Sequence, residues 1–357
     1  MSKIKVAIVG IGNCASSLIQ GIDCYKWVEE DSGFVPGIMN NKIGKYLIRD
    51  IEFVAAFDVN KNKVGKDISE AIFTSPNCAS KFCHVPQKKV KVLKGPLLDG
   101  LDGVLKEIVP VDRNQESVSV SEEISKSEAE ILINYLPTGS KKATEFYAEQ
   151  ALTAGCSFIN GIPEPIASNE KWRDKFKNAG LALVGDDIKS QLGATPLHRG
   201  LIDLFLRGGC RITNTSQLNI GDNSDFQNLS DQDRVINKNL CKNTAIKNLI
   251  PYPAKITIEI KSDNSLNLDC RDAKRVYIHI DGEHFGSRPL SINVEMYAED
   301  SPNGAGTMVD VIRALKIATD RGDSGAIDSI SARHFKNPPS PCNDWTAIQN
   351  WDAFLSH

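Results

Sequence analysis

Ile4-Lys5-Val6-Ala7-Ile8-Val9-Gly10-Ile11-Gly12-Asn13-Cys14-Ala15, followed by Leu18-Ile19, reads as a strand, a tight turn and the opening of a helix. Residues 10–15 fit G-x-G-x-x-A in the strand-to-helix context that a dinucleotide fingerprint requires. Gly10 permits the turn and Gly12 lets backbone approach a pyrophosphate. Ala15 keeps the helix close to the sheet, and Asn13 and Cys14 sit where free helix-start N–H groups face the phosphates. The competing reading is a glycine turn without a ligand. A second apolar run, Phe53-Val54-Ala55-Ala56-Phe57, ends at Asp58, the candidate for the ribose hydroxyls and hence for NAD over NADP. Asp58 lies well beyond the usual interval of about 20 residues, so residues 27–50 read as an insertion.

Working outward, short runs at Ile131-Leu132-Ile133, Phe158-Ile159 and Leu181-Ala182-Leu183-Val184 alternate with helix-like stretches such as Lys141 to Leu152. That predicts an α/β fold with a Rossmann-like, doubly wound parallel sheet. After about residue 205 the period changes. Thr213 to Ile220, Ala254 to Ile260, Val276 to Ile280 and Ile292 to Met296 are strand-like with few helices between them. They predict a second α+β domain containing a largely antiparallel sheet with one covered face. From Thr307 a helical period returns, with Val311, Leu315 and Ala318 on one side. This helix is expected to rejoin the first domain. The expected division is a nucleotide-binding domain over 1–205, completed by 301–357, and a catalytic and oligomerisation domain over 206–300. Residues 27–50 and 81–128 read as mostly loop, and Lys88, Lys89, Lys91 and Lys94 as a solvated edge.

The 357 residues suffice for about two domains at roughly 150 residues each. A 41% hydrophobic and 24% charged composition excludes bulk disorder and fibrous repeats. Forty-two Lys and Arg against 45 Asp and Glu offer no general attraction for nucleic acid or an anionic membrane. Nine cysteines without a C-x-x-C pair do not indicate oxidative stapling. The first apolar run meets Gly10 too early for a signal peptide, and no segment approaches the roughly 20 apolar residues of a membrane span. A cytoplasmic setting is the expectation. No His or Cys spacing matches a zinc site.

Four separated strings carry a resemblance: V-G-I-G-N-C-A-S-S at 9–17, N-Y-L-P-T-G-S at 134–140, G-D-D-I-K-S-Q-L-G-A-T at 185–195 and D-S-P-N-G-A-G at 300–306. Together they closely resemble the compact prokaryotic form of inositol-3-phosphate synthase, from about residue 4 to about residue 340. The resemblance implies an NAD-dependent isomerase that converts glucose 6-phosphate into 1D-myo-inositol 3-phosphate. C5 is oxidised, a C6 proton is abstracted, C6 closes onto the C1 aldehyde, and C5 is reduced again. It further implies a homotetramer, no nucleic-acid or membrane partner, and, in some members, a divalent or monovalent cation near the cofactor phosphates. The cation requirement stays open here.

A phosphate dianion and oxyanions at C5 and C1 call for converging cations. Lys238 and Lys242 are one helical turn apart and can serve one pocket. By the resemblance they are the paired lysines, with Lys274 in R-D-A-K-R-V-Y and Lys336 in H-F-K-N-P-P as the third and fourth. The implied roles put Lys238 and Lys274 around the C5 oxygen, Lys336 toward the C1 oxygen, Lys242 toward phosphate and Asp300 as tuner of a lysine. Asp187 would contact the nicotinamide end and Lys189 the reacting centre. Leu136, Pro137 and Gly139 fall on the cofactor side, and Ser190, Asn219 and Asn223 on the substrate side. Cys241, where a serine is commoner, departs from the pattern. The alternatives are a simple NAD-dependent polyol or homoserine-type dehydrogenase and a non-catalytic NAD-binding protein.

Overall fold

The computed structural model describes residues 3–221, 223–228, 243, 246–262 and 272–356. The first strands in chain order are β1 (Ile4–Val9), β2 (Lys42–Ile43), β3 (Tyr46–Leu47), β4 (Ile51–Asp58), β5 (Val92–Lys94), β6 (Ile131–Asn134), β7 (Ser157–Asn160) and β8 (Ala182–Val184). They are followed by β9 (Arg211–Gly221), β10 (Lys255–Ser262), β11 (Ala273–His284), β12 (Arg288–Glu299) and β13 (Gly325–Ala326). The helices that bear on the site are α1 (Asn13–Cys24), α2 (Lys141–Ala154), α3 (Ala194–Arg207), α4 (Asp300–Asp320), α5 (Asp328–His334) and α6 (Asp344–Ser356).

Seven strands form one all-parallel sheet in the order β13-β8-β7-β6-β1-β4-β5. The winding reverses between β1 and β6, and an open parallel sheet takes its ligand beyond the strand ends at that point. The apolar runs are continuous because both faces are covered. On β1, Ile4, Val6 and Ile8 enter one core and Ala7 and Val9 the other. The register slips between Val6 and Ala7, which pair with Phe53 and Ala55. Val54 is therefore an extra residue, and it moves Ala55 and Phe57 to the face opposite Phe53. The helix expected from Thr307 is α4, which starts earlier, at Asp300. Its Met308, Val311, Leu315 and Ala318 share a core with Leu18, Ile19 and Ile22 of α1, so it does rejoin the first sheet.

The second sheet runs β10-β9-β11-β12. Pairs β9/β11 and β11/β12 are antiparallel, while β10 lies parallel to β9. Val276, Ile278 and Ile280 of β11 pack with Ile202 and Phe205 of α3 on the covered face. On the other face Tyr277 and Tyr297 are 38% and 46% exposed.

Two segments read as loop are more ordered than expected. The insertion carries the β2/β3 hairpin, and fully buried Arg313 donates to the carbonyls of Asn40 and Asn41. In the basic run, Lys88 pairs with Asp23, but Lys94 is buried and donates to the carbonyls of Asp112 and Gln115. Lys94 thus corrects the reading of a solvated edge, because β5 ends inside the fold, where the ammonium has carbonyl acceptors. Among the described residues no helix is long and apolar enough to cross a membrane, and no group of three or more His, Cys, Asp or Glu is placed to hold a metal ion.

Candidate active site

The turn after β1 is built from the backbone. Gly10 has φ +85° and its N–H donates to Phe57 O at 2.9 Å, tying the ends of β1 and β4. A Cβ on Gly10 would stand 2.4 Å from Tyr135 O, so the close approach of β1 to β6 admits only glycine. A Cβ on Gly12 would meet nothing within 4 Å, because a cavity opens above it. Gly12 is also the N-cap of α1, with no side chain capping the helix start. Ala15 is buried beneath, and Asn13 Oδ1 accepts from the N–H groups of Cys78 and Ala79, holding that loop over the turn. Uncapped N–H groups beside open space are what an anionic pyrophosphate needs.

Asp58 ends β4 and accepts from the N–H groups of Ile11 at 2.9 Å, Val59 at 2.7 Å and Asn60 at 2.9 Å. A carboxylate has about four acceptor sites, so roughly one remains for a ribose hydroxyl. The cavity has a volume of about 290 Å³. Pro96, Leu97, Leu98, Leu101 and Val109 form an apolar wall at one side, from the segment that read as loop. Leu136 and Pro137 line it as well. Gly139, expected on the cofactor side, is not among the residues that line it, and its N–H donates to Glu164 Oε1 at 3.0 Å.

The charged end begins where the chain leaves β8. Buried Asp186 accepts from Asn160 Nδ2, from the N–H groups of Ile166, Ala167 and Ser168, and from Ser168 Oγ. Burial pushes its carboxyl up to about 6. This anchor leaves Asp187, at φ +63°, on the cavity wall. Lys336 Nζ donates to Asp187 Oδ1 at 2.7 Å, while buried Asp187 Oδ2 has no hydrogen-bond partner among the described residues. Across the cavity, Lys274 at the start of β11 donates to Asp300 Oδ1 at the start of α4. Asp272 holds these starts together. Its carboxylate accepts from Ser301 N–H, Ser301 Oγ and Asn223 Nδ2, and its carbonyl accepts from Asp300 N–H. Burial and then the Asp300 charge push Asp272 up to about 6. Cys14 lines the cavity as an exposed residue, and the neighbouring charges of Asp272, Asp300 and Asp225 act to raise its thiol. At neutral pH it is a thiol.

Of the expected residues, Gly10, Gly12, Asn13, Cys14, Asp58, Leu136, Pro137, Asp187, Ser190, Asn223, Lys274, Asp300 and Lys336 line this one cavity. Lys189 does not. Its ammonium donates to the carbonyls of Ala332 at 2.9 Å and Arg333 at 3.2 Å near the end of α5, and pairs with Asp344 at 3.5 Å. Burial brings it down to about 8. The expected position at the reacting centre is corrected, since helix-end carbonyls and a carboxylate hold this cation on the other side of the chain. Asn219 is on the covered face of the second sheet, donating to Glu259 O and accepting from Gln217, and is likewise not on the cavity. Lys238, Cys241 and Lys242 lie outside the described residues. The sequence reading missed the apolar wall and two residues beneath the turn, Lys63 and Asn77.

The family model described as myo-inositol-1-phosphate synthase matches residues 193–301. An inositol-3-phosphate synthase of Corynebacterium glutamicum is 43% identical over 99% of this chain and 98% of its own. That of Mycolicibacterium smegmatis is 42% identical over the same shares. The crystal structure of a myo-inositol-1-phosphate synthase-related protein from Thermotoga maritima has the same fold, with a TM-score of 0.81 at 23% identity over 99% of this chain and 98% of that one. Identity above 40% along nearly the whole length, on a fold whose glycine turn lines the same cavity as two lysine–carboxylate pairs, means that the chain belongs to the inositol-3-phosphate synthase family.

Proposed function

We propose that the chain converts D-glucose 6-phosphate to 1D-myo-inositol 3-phosphate with NAD, by oxidation at C5, enolisation, intramolecular aldol closure and reduction. The observation that carries this reading is that Lys274–Asp300 and Lys336–Asp187 line the same cavity as the glycine turn. When bound, NAD supplies a hydride acceptor for C5 and returns the hydride after closure. The open space over Gly12 and the uncapped start of α1 suit its pyrophosphate, Asp58 its ribose, and the unpartnered Asp187 Oδ2 the donor of its carboxamide.

Lys274 sits at the C5 oxygen, where its amino group exchanges the C5 hydroxyl proton during oxidation and reduction and, as the ammonium oriented by Asp300, stabilises the enolate oxyanion. Lys336 faces the C1 aldehyde and stabilises the alkoxide formed when C6 attacks. Lys238 beside C5 and Lys242 at the phosphate complete the cation set by family resemblance, and Ser190 and Asn223 bind substrate hydroxyls or phosphate. Residues 206–300 form the catalytic and oligomerisation domain of a cytoplasmic homotetramer in this reading. A cation near the cofactor phosphates belongs to it as an optional partner.

The test is incubation of purified protein with glucose 6-phosphate and NAD, with the product identified by phosphorus and carbon NMR. The expected result is a cyclitol phosphate with no steady accumulation of NADH. Unchanged substrate across several added cations overturns the reading, and NADH rising in proportion to product replaces it with a dehydrogenase.

A further inference from the structure

Lys63 is 3% exposed and lies beneath the glycine turn, on the wall of the cavity. Its ammonium donates to Ile11 O at 2.7 Å and to Asn77 Oδ1 at 2.7 Å. Ile11 is thereby gripped on both sides, since its N–H is held by Asp58 and its carbonyl by Lys63 and by Asn77 Nδ2 at 3.0 Å. The charge of Lys63 sets it apart. Lys274 and Lys336 each face a carboxylate oxygen, whereas among the described residues no carboxylate oxygen lies within ion-pair distance of Lys63. Burial accordingly holds its ammonium below the ordinary lysine range, only partly offset by the field of Asp58. A desolvated cation whose acceptors are a carbonyl and an amide is stabilised by a nearby anion far more than a solvated one would be.

We propose that Lys63 is a positioning residue for the dinucleotide: it fixes the Ile11 peptides and supplies, behind Gly10–Gly12, a positive charge without a carboxylate at ion-pair distance that attracts the pyrophosphate. This rests on the dinucleotide reading given above. The pyrophosphate diester carries two negative charges, and the turn itself offers only N–H dipoles. Lys63 adds a full charge one residue from those dipoles, in a medium that screens it weakly.

The test separates charge from scaffolding by a series of ligands titrated calorimetrically. Lys63→Gln keeps a donor for Ile11 O and deletes the charge. ADP-ribose and NAD should then bind roughly tenfold more weakly, the scale of a lost charge-assisted contact, and adenosine within about twofold of wild type. Asn77→Ala, which removes an anchor of Ile11 without touching the charge, should weaken adenosine and ADP-ribose by the same factor. Lys63→Met serves as a second variant should Lys63→Gln fail to fold. Equal loss for adenosine and ADP-ribose in the Lys63 variants, or no loss, overturns the proposal. A wild-type chain that binds adenosine but neither NAD nor ADP-ribose overturns the dinucleotide reading itself, and Lys63's role with it.

Discussion

The two sheets bury apolar residues in different ways. In the parallel sheet β1, β6, β7 and β8 are covered on both faces and read as almost unbroken apolar runs. In the four-stranded sheet one face is covered among the described residues, so Val276, Ile278 and Ile280 alternate with Arg275, Tyr277 and His279. The first arrangement leaves polar work to the backbone at the strand ends, and the glycine turn is accordingly made of N–H groups and glycine. In the second, polar side chains sit on and beside the strands, and Lys274 and Asn223 reach the cavity from there. Cofactor binding should therefore be sensitive to backbone shape, and chemistry to individual side chains.

The harshest way to break that comparison is Gly10→Val. Its side chain collides with Tyr135 O at a φ that valine does not adopt, so NAD binding should be abolished. Measurable NAD affinity by calorimetry in a folded Gly10→Val protein would show that the turn is not the binding element. Lys274→Ala sharpens the other side. It should lower the chemical rate by roughly 10²-fold or more, the scale of a lost acid/base or oxyanion group, while NAD still binds. Single-turnover kinetics beside a binding titration check both halves, and near-normal turnover would mean that the family role belongs to another lysine. Asp58→Ala should have the smallest effect, weakening NAD by roughly tenfold and narrowing the preference over NADP, because the carboxylate both repels a 2′-phosphate and holds Ile11 N–H. An unchanged ratio of the two affinities would leave Asp58 as a clamp of the turn alone.

Much of the parallel-sheet half was legible in order along the chain. The glycine turn, Asp58 at the end of β4 and the helix returning after residue 300 all rest on signals spanning a few residues: a strand period, a glycine that must take positive φ, a helical repeat. The apolar wall from Pro96 to Val109 was not legible. Its residues have no period, and they pack against a cavity rather than along one element. Asp99 shows the same difficulty, since its carboxylate caps the N–H groups of Lys142 and Ala143 on α2 from 43 and 44 residues away.

What the sequence determined alone is the class of fold, the place of the glycine turn and the family resemblance, because backbone preference and apolar periodicity act between near neighbours. Which lysine faces the cavity was decided only in three dimensions. Lys274 finds Asp300 26 residues away, Lys336 finds Asp187 149 residues away, and Lys189 is drawn off by the carbonyl of Ala332, 143 residues away. A buried ammonium needs an acceptor in place of lost water, and a long side chain goes wherever the fold brings that acceptor. Adjacent in one motif, Asp187 and Lys189 thus end on opposite sides of the chain, one in the cavity and one against the end of a helix.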